Sequence, residues 1–497
     1  MNSPRLSARA RFGHRALVST QQRPRLACRA AAAEPPMLTL PGLQHLPVAG
    51  YLLELRKDPA GFYLRVQEEC MKQGLEAART DLGPISLTYL YSQRHVQHVL
   101  QDSRGLYTKS DVDRRALGLL IGNGLLLNEG EPHRQRRRIM MPCFTAERLD
   151  GFVRDMVDVA NESVRRLQAL QQQQPQQQEG QQGQGHGTSW QVQQASGDGV
   201  GAAVVVDIHA EALRCALSII GRCGFSSDIG DSASEIGKAL EECLSFAGGA
   251  MQAGGTAPLR QAGQQQRDLL DMLLLARNED GSALGDSELR DEVMTMVTAG
   301  HETSANVLAW AMYQLALHPE AVHHAVAEVH AVCGPGPEAV QPHHLPKLRY
   351  LEAVLQETLR LHPPVWAFDR QAAQQDELPG GVQIVQGSYI LLSPYALHRQ
   401  PDLFPEPDAF KPERFLEGGS AAALPRFQYI PFGGGGRSCI GSTFAMYEMK
   451  VLLATWLQAF PHLRLHPSAL PVEAEASVTY RPRRPLTLVL SPNTDRL

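Results

Sequence analysis

Residues 432 to 441 constrain this chain more than any other stretch. They read F-G-G-G-G-R-S-C-I-G, with one cysteine, Cys439, behind four consecutive glycines, Gly433 to Gly436. Glycine weakens regular elements and is used where a backbone turns sharply or closely approaches something. From Thr443 to Leu457 apolar side chains recur at helical spacing, which puts Cys439 at or just before a helix N-terminus. Free backbone N–H groups and the helix dipole stabilise a thiolate there. A thiolate beside flat glycine backbone suits a planar metal cofactor lying over the loop. The competing reading is a glycine-rich loop with a buried free cysteine.

The 497 residues suffice for one large or two ordinary domains, and a net charge of −5 carries no basic excess that would favour a nucleic-acid partner. Eight cysteines are scattered without paired spacing, which reads as reduced thiols in an intracellular compartment. No apolar run approaches the ~18–20 residues of a membrane span. No transmembrane anchor is therefore expected, while peripheral contact with a membrane stays open. Residues 1–33 hold seven arginines and no acid, the composition of an organellar transit peptide that is removed. The A-C-R-A-A-A-A ending points to a chloroplast, with a mitochondrion as the alternative and a disordered basic tail as the bland reading. Residues 168–203 are rich in glutamine and glycine, too polar to bury a core, and read as a disordered insertion.

Phe432, Gly435, Arg437, Cys439 and Gly441 resemble the haem-binding signature of the cytochromes P450, F-x-x-G-x-R-x-C-x-G. Other stretches resemble the same family. Ala299 to Ser304, A-G-H-E-T-S, is similar to its oxygen-activation motif in the middle of a long apolar helix. There Gly300 removes bulk, so that a helix can pass close to the iron. Thr303 can bond a carbonyl one turn back and open the helix locally. Glu302 beside it can feed protons toward the reacting oxygen. E-T-L-R places Glu357 and Arg360 one helical turn apart on one face, and P-E-R-F supplies Arg414. The three would form a buried ion triad with a structural role, locking the thiolate loop.

The resemblance implies a mainly α fold with small β-sheets and a single haem-thiolate monooxygenase domain over residues 34–497. It makes Cys439 the axial ligand of the iron of haem b. Ala299, Gly300, Phe432, Arg437 and Gly441 would border the cofactor, and His133, Arg137, Arg370 and His398 would contact its propionates. His133 stands where the family often has Trp. Val365, Trp366 and Phe368 would line the substrate pocket, reached also by a turn near residues 477–480. Arg134, Arg136 and Arg138 would form either a solvated basic face or a docking face for an acidic donor. Residues 226–267 are shorter than the pocket roof the resemblance calls for, through an abbreviated roof or a lost exon. The expected activity is insertion of one oxygen atom from O2 into an apolar, lipid-like substrate such as a carotenoid, fatty acid or terpenoid. Electrons would come ultimately from NADPH, through ferredoxin or a flavoprotein reductase. The alternatives are a hydroperoxide dehydratase or isomerase of the same fold, and an idle haem-binding protein.

Overall fold

The computed structural model describes residues 33–102, 104–178, 203–229, 268–277, 281–334 and 340–492. The chain enters through a short helix α1 (Leu52–Lys57) and helix α2 (Pro59–Lys72). Asp58 caps α2 by accepting from the Gly61 N–H at 3.0 Å, and Pro59 takes the first helical position, where no N–H is needed. Strands β1 (Ala77–Leu82) and β2 (Ile85–Leu90) form a hairpin, and α3 (Gln93–Leu100) follows behind the Ser92 cap. Strand β3 (Tyr107–Thr108) leads to α4 (Asp111–Ile121), α5 (Gly130–Met140) and the long α6 (Ala146–Gln178). Strand β4 (Val204–Asp207) precedes α7 (Ile208–Phe225), and α8 (Leu269–Leu275) comes next.

The longest uninterrupted apolar pattern makes the central helix α9 (Asp286–Leu317), followed by α10 (Pro319–Cys333) and α11 (Arg349–Leu361). Then come strands β5 (Phe368–Ala372), β6 (Asp376–Leu378), β7 (Val382–Ile384) and β8 (Tyr389–Leu392), and a one-turn helix α12 (Pro394–Leu397). Helix α13 (Ser442–Ala459) follows the cysteine loop. Strands β9 (His462–Leu465), β10 (Ala474–Ala476), β11 (Tyr480–Pro482) and β12 (Thr487–Ser491) end the fold.

The main sheet has the order β1-β2-β8-β5-β3, and a smaller one runs β4-β12-β9. The chain buries two apolar clusters. One joins α9 to α6, α7, α11 and α13 through Leu308, Met312, Ile219, Leu355 and Trp456. The other packs α2 on the main sheet through Phe62, Tyr63, Val66, Tyr89 and Ile390. The cysteine loop lies where these two bodies meet.

Three boundaries move. Helix α6 continues to Gln178, so the insertion expected from residue 168 is helical for its first eleven positions. Glutamine is a good helix former, and a helix already anchored by its buried face propagates at little cost. Residues 179–202 lie outside the described residues. The sequence from Val204 to Phe225 reads as helix, but its first four residues, Val204–Asp207, form a strand paired with β12, as three consecutive β-branched residues favour. Ala33, assigned to the leader, bridges to Val382. Residues 1–32 and the roof segment 230–267 also lie outside the described residues. The six cysteines among the described residues are free thiols. Among the described residues no helix is long and apolar enough to cross a membrane.

Candidate functional site

The cysteine loop is shaped by packing against α3. A Cβ on Gly435, whose φ is +66°, would sit 1.7 Å from the Leu100 carbonyl oxygen, and one on Gly434 would lie 2.7 Å from the Phe427 ring. Two of the four glycines therefore permit backbone contact within the protein, and only Gly436 faces open space. The Cys439 N–H donates to the Phe432 carbonyl at 2.9 Å and closes the loop, and α13 begins at Ser442. Phe432 is half-buried against the helical core. A Cβ added to Gly441 would meet the Phe144 ring at 3.8 Å, an ordinary contact.

Cys439 is solvent-accessible although protein surrounds it on most sides. That burial pushes its thiol pKa up, and a backbone bond at Gly441 and the Arg137 charge pull the other way without overcoming it. In the protein alone desolvation outweighs the helix terminus, contrary to the expected stabilised thiolate. A coordinated metal reverses this, because it deprotonates its thiol outright.

Arg137 reaches the loop from α5. Its guanidinium donates to the Ser438 carbonyl at 2.7 Å and to the Ser438 hydroxyl at 3.2 Å, so it clamps the residue before the cysteine. Beside it lies a cationic cluster. Arg437 donates to Asn128 O and pairs with Glu129, while its Nη1 is buried with no hydrogen-bond partner. Arg370 is buried on β5, donating to its neighbour's carbonyl at 2.7 Å, with its guanidinium 5.3 Å from the Phe368 ring. His133 is buried on α5, and its pKa falls to about 4 through burial and then the charges of Arg437, Arg137, Arg134 and Lys109. Its ring is therefore neutral near pH 7 and keeps one N–H to donate.

Lys109 belongs to this cluster and was not found from the sequence. Burial, Arg370 and Arg437 lower its pKa to about 8, and Asp113, at 4.0 Å, and Asp369 oppose them. No motif marks it. The pairing of Tyr107 and Thr108 with Ala372 and Gln371 is what brings it beside Arg370.

Several expected site residues lie elsewhere. His398 is fully buried, and its Nε2 accepts from the Ile430 N–H at 2.9 Å. Its charged neighbours are Arg360 and Arg399, so it braces the segment before the loop and is not in the cationic cluster. Trp366 stacks on Tyr63 at 5.2 Å in the core around the main sheet, with its indole N–H donated to Ser477 O at 2.9 Å. Arg136 is buried and paired with Glu288, with Glu292 at 3.7 Å, so it ties α5 to α9 and is no part of a solvated or docking face. Arg134 and Arg138 are exposed.

Glu357, Arg360 and Arg414 do converge. Arg360 makes two bonds of 2.7 Å to Glu357, and Arg414 donates to the same carboxylate at 3.3 Å. Arg360 also donates to His398 O at 3.1 Å, which joins the triad to the histidine that supports Ile430.

Across the site, Ala299 is exposed, and the Thr303 hydroxyl donates to its carbonyl at 2.9 Å. The helix runs unbroken through the motif, so the expected local opening is not seen. A Cβ on Gly300 would meet Ile220 of α7 at 3.2 Å; this glycine admits a neighbouring helix. Glu302 accepts from the Thr479 hydroxyl at 2.8 Å and lies 3.5 Å from Arg481. The turn expected near residues 477–480 thus reaches α9.

A family model described as Cytochrome P450 matches residues 40–253 and 254–488. Cyclooctatin synthase of Streptomyces melanosporofaciens is 30% identical over 443 residues, spanning 82% of this chain and 86% of that protein. Cytochrome P450 4A11 of Homo sapiens is 31% identical over 384 residues, spanning 73% and 72%. Cytochrome P450 4V2 of Pongo abelii is 28% identical over 446 residues, spanning 83% and 82%. A solved structure titled "Crystal structure of a Cytochrome P450 (CYP102L1)" superposes with a TM-score of 0.73 at 23% identity, covering 93% of this chain and 99% of that one, a likeness of fold.

Proposed function

The chain belongs to the cytochrome P450 family of haem-dependent monooxygenases, and from that premise we propose that Cys439 is the axial ligand of a haem b whose propionates enter the cationic cluster. The observation that carries this reading is Arg437. Its Nη1 is buried without a partner among Arg370, Lys109 and His133, close to an accessible cysteine. A buried guanidinium group left unpaired costs free energy. Carboxylates placed there would satisfy it and relieve the repulsion between the cations. Arg437, Arg370, Lys109 and the neutral His133 are the residues that would hold them, while Arg137 positions Ser438 and thereby the loop.

A haem held by a cysteine thiolate supplies oxygen activation, with the thiolate pushing electron density to favour O–O cleavage. The protein's part is proton supply and exclusion of water. Thr303 holds its hydroxyl on the accessible face of α9 by donating to Ala299 O, and that oxygen stays free to accept a proton from the direction of Glu302. Val365, 40% exposed between α11 and β5, and the exposed Ala299 on α9 each offer apolar surface, which supports a lipid-like substrate such as a fatty acid, carotenoid or terpenoid. The exposed Arg134 and Arg138 on α5 suit an acidic electron donor, ferredoxin or a flavoprotein reductase, fed ultimately by NADPH. The arginine-rich residues 1–33 support delivery to a chloroplast, or to a mitochondrion.

Thr303→Ala tests the reading. With a competent donor and a panel of apolar substrates, the variant should keep its haem but yield several-fold less product per NADPH consumed, the remainder appearing as peroxide. Oxidation of none of the panel by the intact protein, together with no effect of Thr303→Ala on peroxide release, would sink it.

A further inference from the structure

Glu302 is one end of a polar chain that crosses three elements. Thr479, in the turn before β11, donates its hydroxyl to Glu302 Oε1 at 2.8 Å. The same hydroxyl oxygen accepts from Asn306 Nδ2 at 3.1 Å. Asn306 lies one helical turn beyond Glu302 on α9, and its Oδ1 stands 2.7 Å from His209 Nε2 at the start of α7. Asn306 is fully buried and Thr479 is 7% exposed. The turn itself is fixed, with Trp366 donating to Ser477 O at 2.9 Å and the Tyr480 N–H to Pro364 O at 2.9 Å.

The chemistry of the groups dictates the direction of every bond. An ionised carboxylate only accepts, so Thr479 must spend its single proton on Glu302. Thr479 can then only accept from Asn306, which fixes the amide with Nδ2 toward the threonine and Oδ1 toward His209. An amide oxygen cannot donate, so His209 must carry its proton on Nε2. If Glu302 is protonated on Oε1 and donates instead, every member reverses. Thr479 donates to a turned-over amide, Asn306 Nδ2 donates to His209 Nε2, and the imidazole proton sits on Nδ1. No proton runs along the chain: His209 loses one from Nε2 and gains one on Nδ1 by exchange with water, and the net change is the single proton on Glu302.

We propose that Thr479, Asn306 and His209 are positioning residues for Glu302, forming a two-state hydrogen-bonded chain whose orientation follows the protonation of that carboxylate. The charged groups facing the chain are Arg481, shared between Glu302 and Glu475, and Asp207, whose Oδ1 accepts from the backbone of His209, Ala210 and Leu486. Burial lowers the pKa of His209, so the ring takes part as a neutral tautomer and not as a cation. The chain holds Oε1 in place and leaves the rest of the carboxylate to serve Thr303. It also ties that acid to the turn bearing Val478, which is 73% exposed, so that a ligand resting on Val478 presses on the same turn that orients Glu302. The inference rests on the reading of Glu302 as the acid that supplies Thr303.

The test reads the far end of the chain. In the reduced, CO-bound and therefore diamagnetic protein with ¹⁵N-labelled histidine rings, the His209 resonance is assigned by its loss in His209→Gln. Above neutral pH the intact protein should show His209 protonated on Nε2. Thr479→Val should abolish that preference and Thr479→Ser should restore it. The infrared carboxylate band of Glu302, identified by difference against Glu302→Gln, should shift in the valine variant and return in the serine variant. A ring protonated on Nδ1 in the intact protein with Glu302 ionised, or a tautomer and carboxylate band both indifferent to Thr479→Val, would overturn the proposal. If these signatures follow Thr479 but Thr303→Ala leaves peroxide release unchanged, the chain stands and the role given to Glu302 falls.

Discussion

Lys109 lies in no motif, yet it enters the cationic cluster because β3 pairs with β5 and sets it beside Arg370. The signature residues were legible because a short loop fixes Phe432, Arg437 and Cys439 relative to one another whatever packs around them. His133 and Arg370 lie outside that loop and were reached only through the family resemblance; the packing of α5 and β5 is what sets them beside Arg437. The role of His398 was not legible, because it depends on which backbone N–H its buried ring meets, and that is Ile430. Arg137 was expected at a propionate, and the structure instead bonds its guanidinium to Ser438, a partner that depends on how α5 packs against the loop. At this scale the account makes a prediction about Lys109. Lys109→Met keeps the apolar stem and removes the charge. A hydrogen bond to a charged group contributes about 1.5–3 kcal/mol, so loss of haem to a scavenging globin should quicken by roughly tenfold or more. An unchanged rate would remove Lys109 from the cofactor site.

Helix α9 shows how an element can be read correctly and its glycine misread. Its length follows from an apolar pattern that nothing interrupts, and the structure gives Asp286–Leu317. The purpose of Gly300 depended on a neighbour, Ile220, supplied by a helix far away in sequence. Gly300→Val should therefore destabilise the fold by about 1–3 kcal/mol through overpacking against α7. In an Ile220→Ala background the same substitution should cost clearly less. Denaturant unfolding of the two single variants and the double variant gives the coupling directly, and strict additivity would place the glycine's role elsewhere. The glutamine run is a parallel case. Composition marks it as unable to build a core, but α6, anchored by Leu149, Val153, Val164 and Leu167, carries its first residues along as helix.

The whole molecule buries acids that pattern alone could not reveal. Glu448 on α13 is fully buried, neither oxygen makes a hydrogen bond of good geometry, and burial raises its pKa to about 8, eased slightly by Ser304 of α9. The folded state therefore holds this proton more tightly than the unfolded chain does. Stability should fall as pH rises from the ordinary carboxyl value of about 4.5 through about 8, where the carboxylate must be carried in the core. The full effect is on the order of 3–5 kcal/mol. Glu448→Gln should match the natural protein at the acidic end of that window and melt higher above it. Equal melting temperatures at both ends would show that Glu448 ionises without cost. From the sequence such an acid looks like one polar position on an amphipathic helix. Only the packing of α9 and α13 shows that it faces no water. The overall fold was far more legible, because the cysteine loop, α9 and the E-T-L-R helix α11 each carry their own local signal and the triad ties the first to the last.

The central claim is that Cys439 supplies a thiolate to a haem iron. The most direct measurement is the absorbance spectrum of the reduced, CO-bound protein beside a Cys439→Ala control. The account predicts a strongly red-shifted Soret band in the intact chain and its loss in the control. An unshifted band in the intact chain, or a shifted band that survives the removal of Cys439, would contradict it.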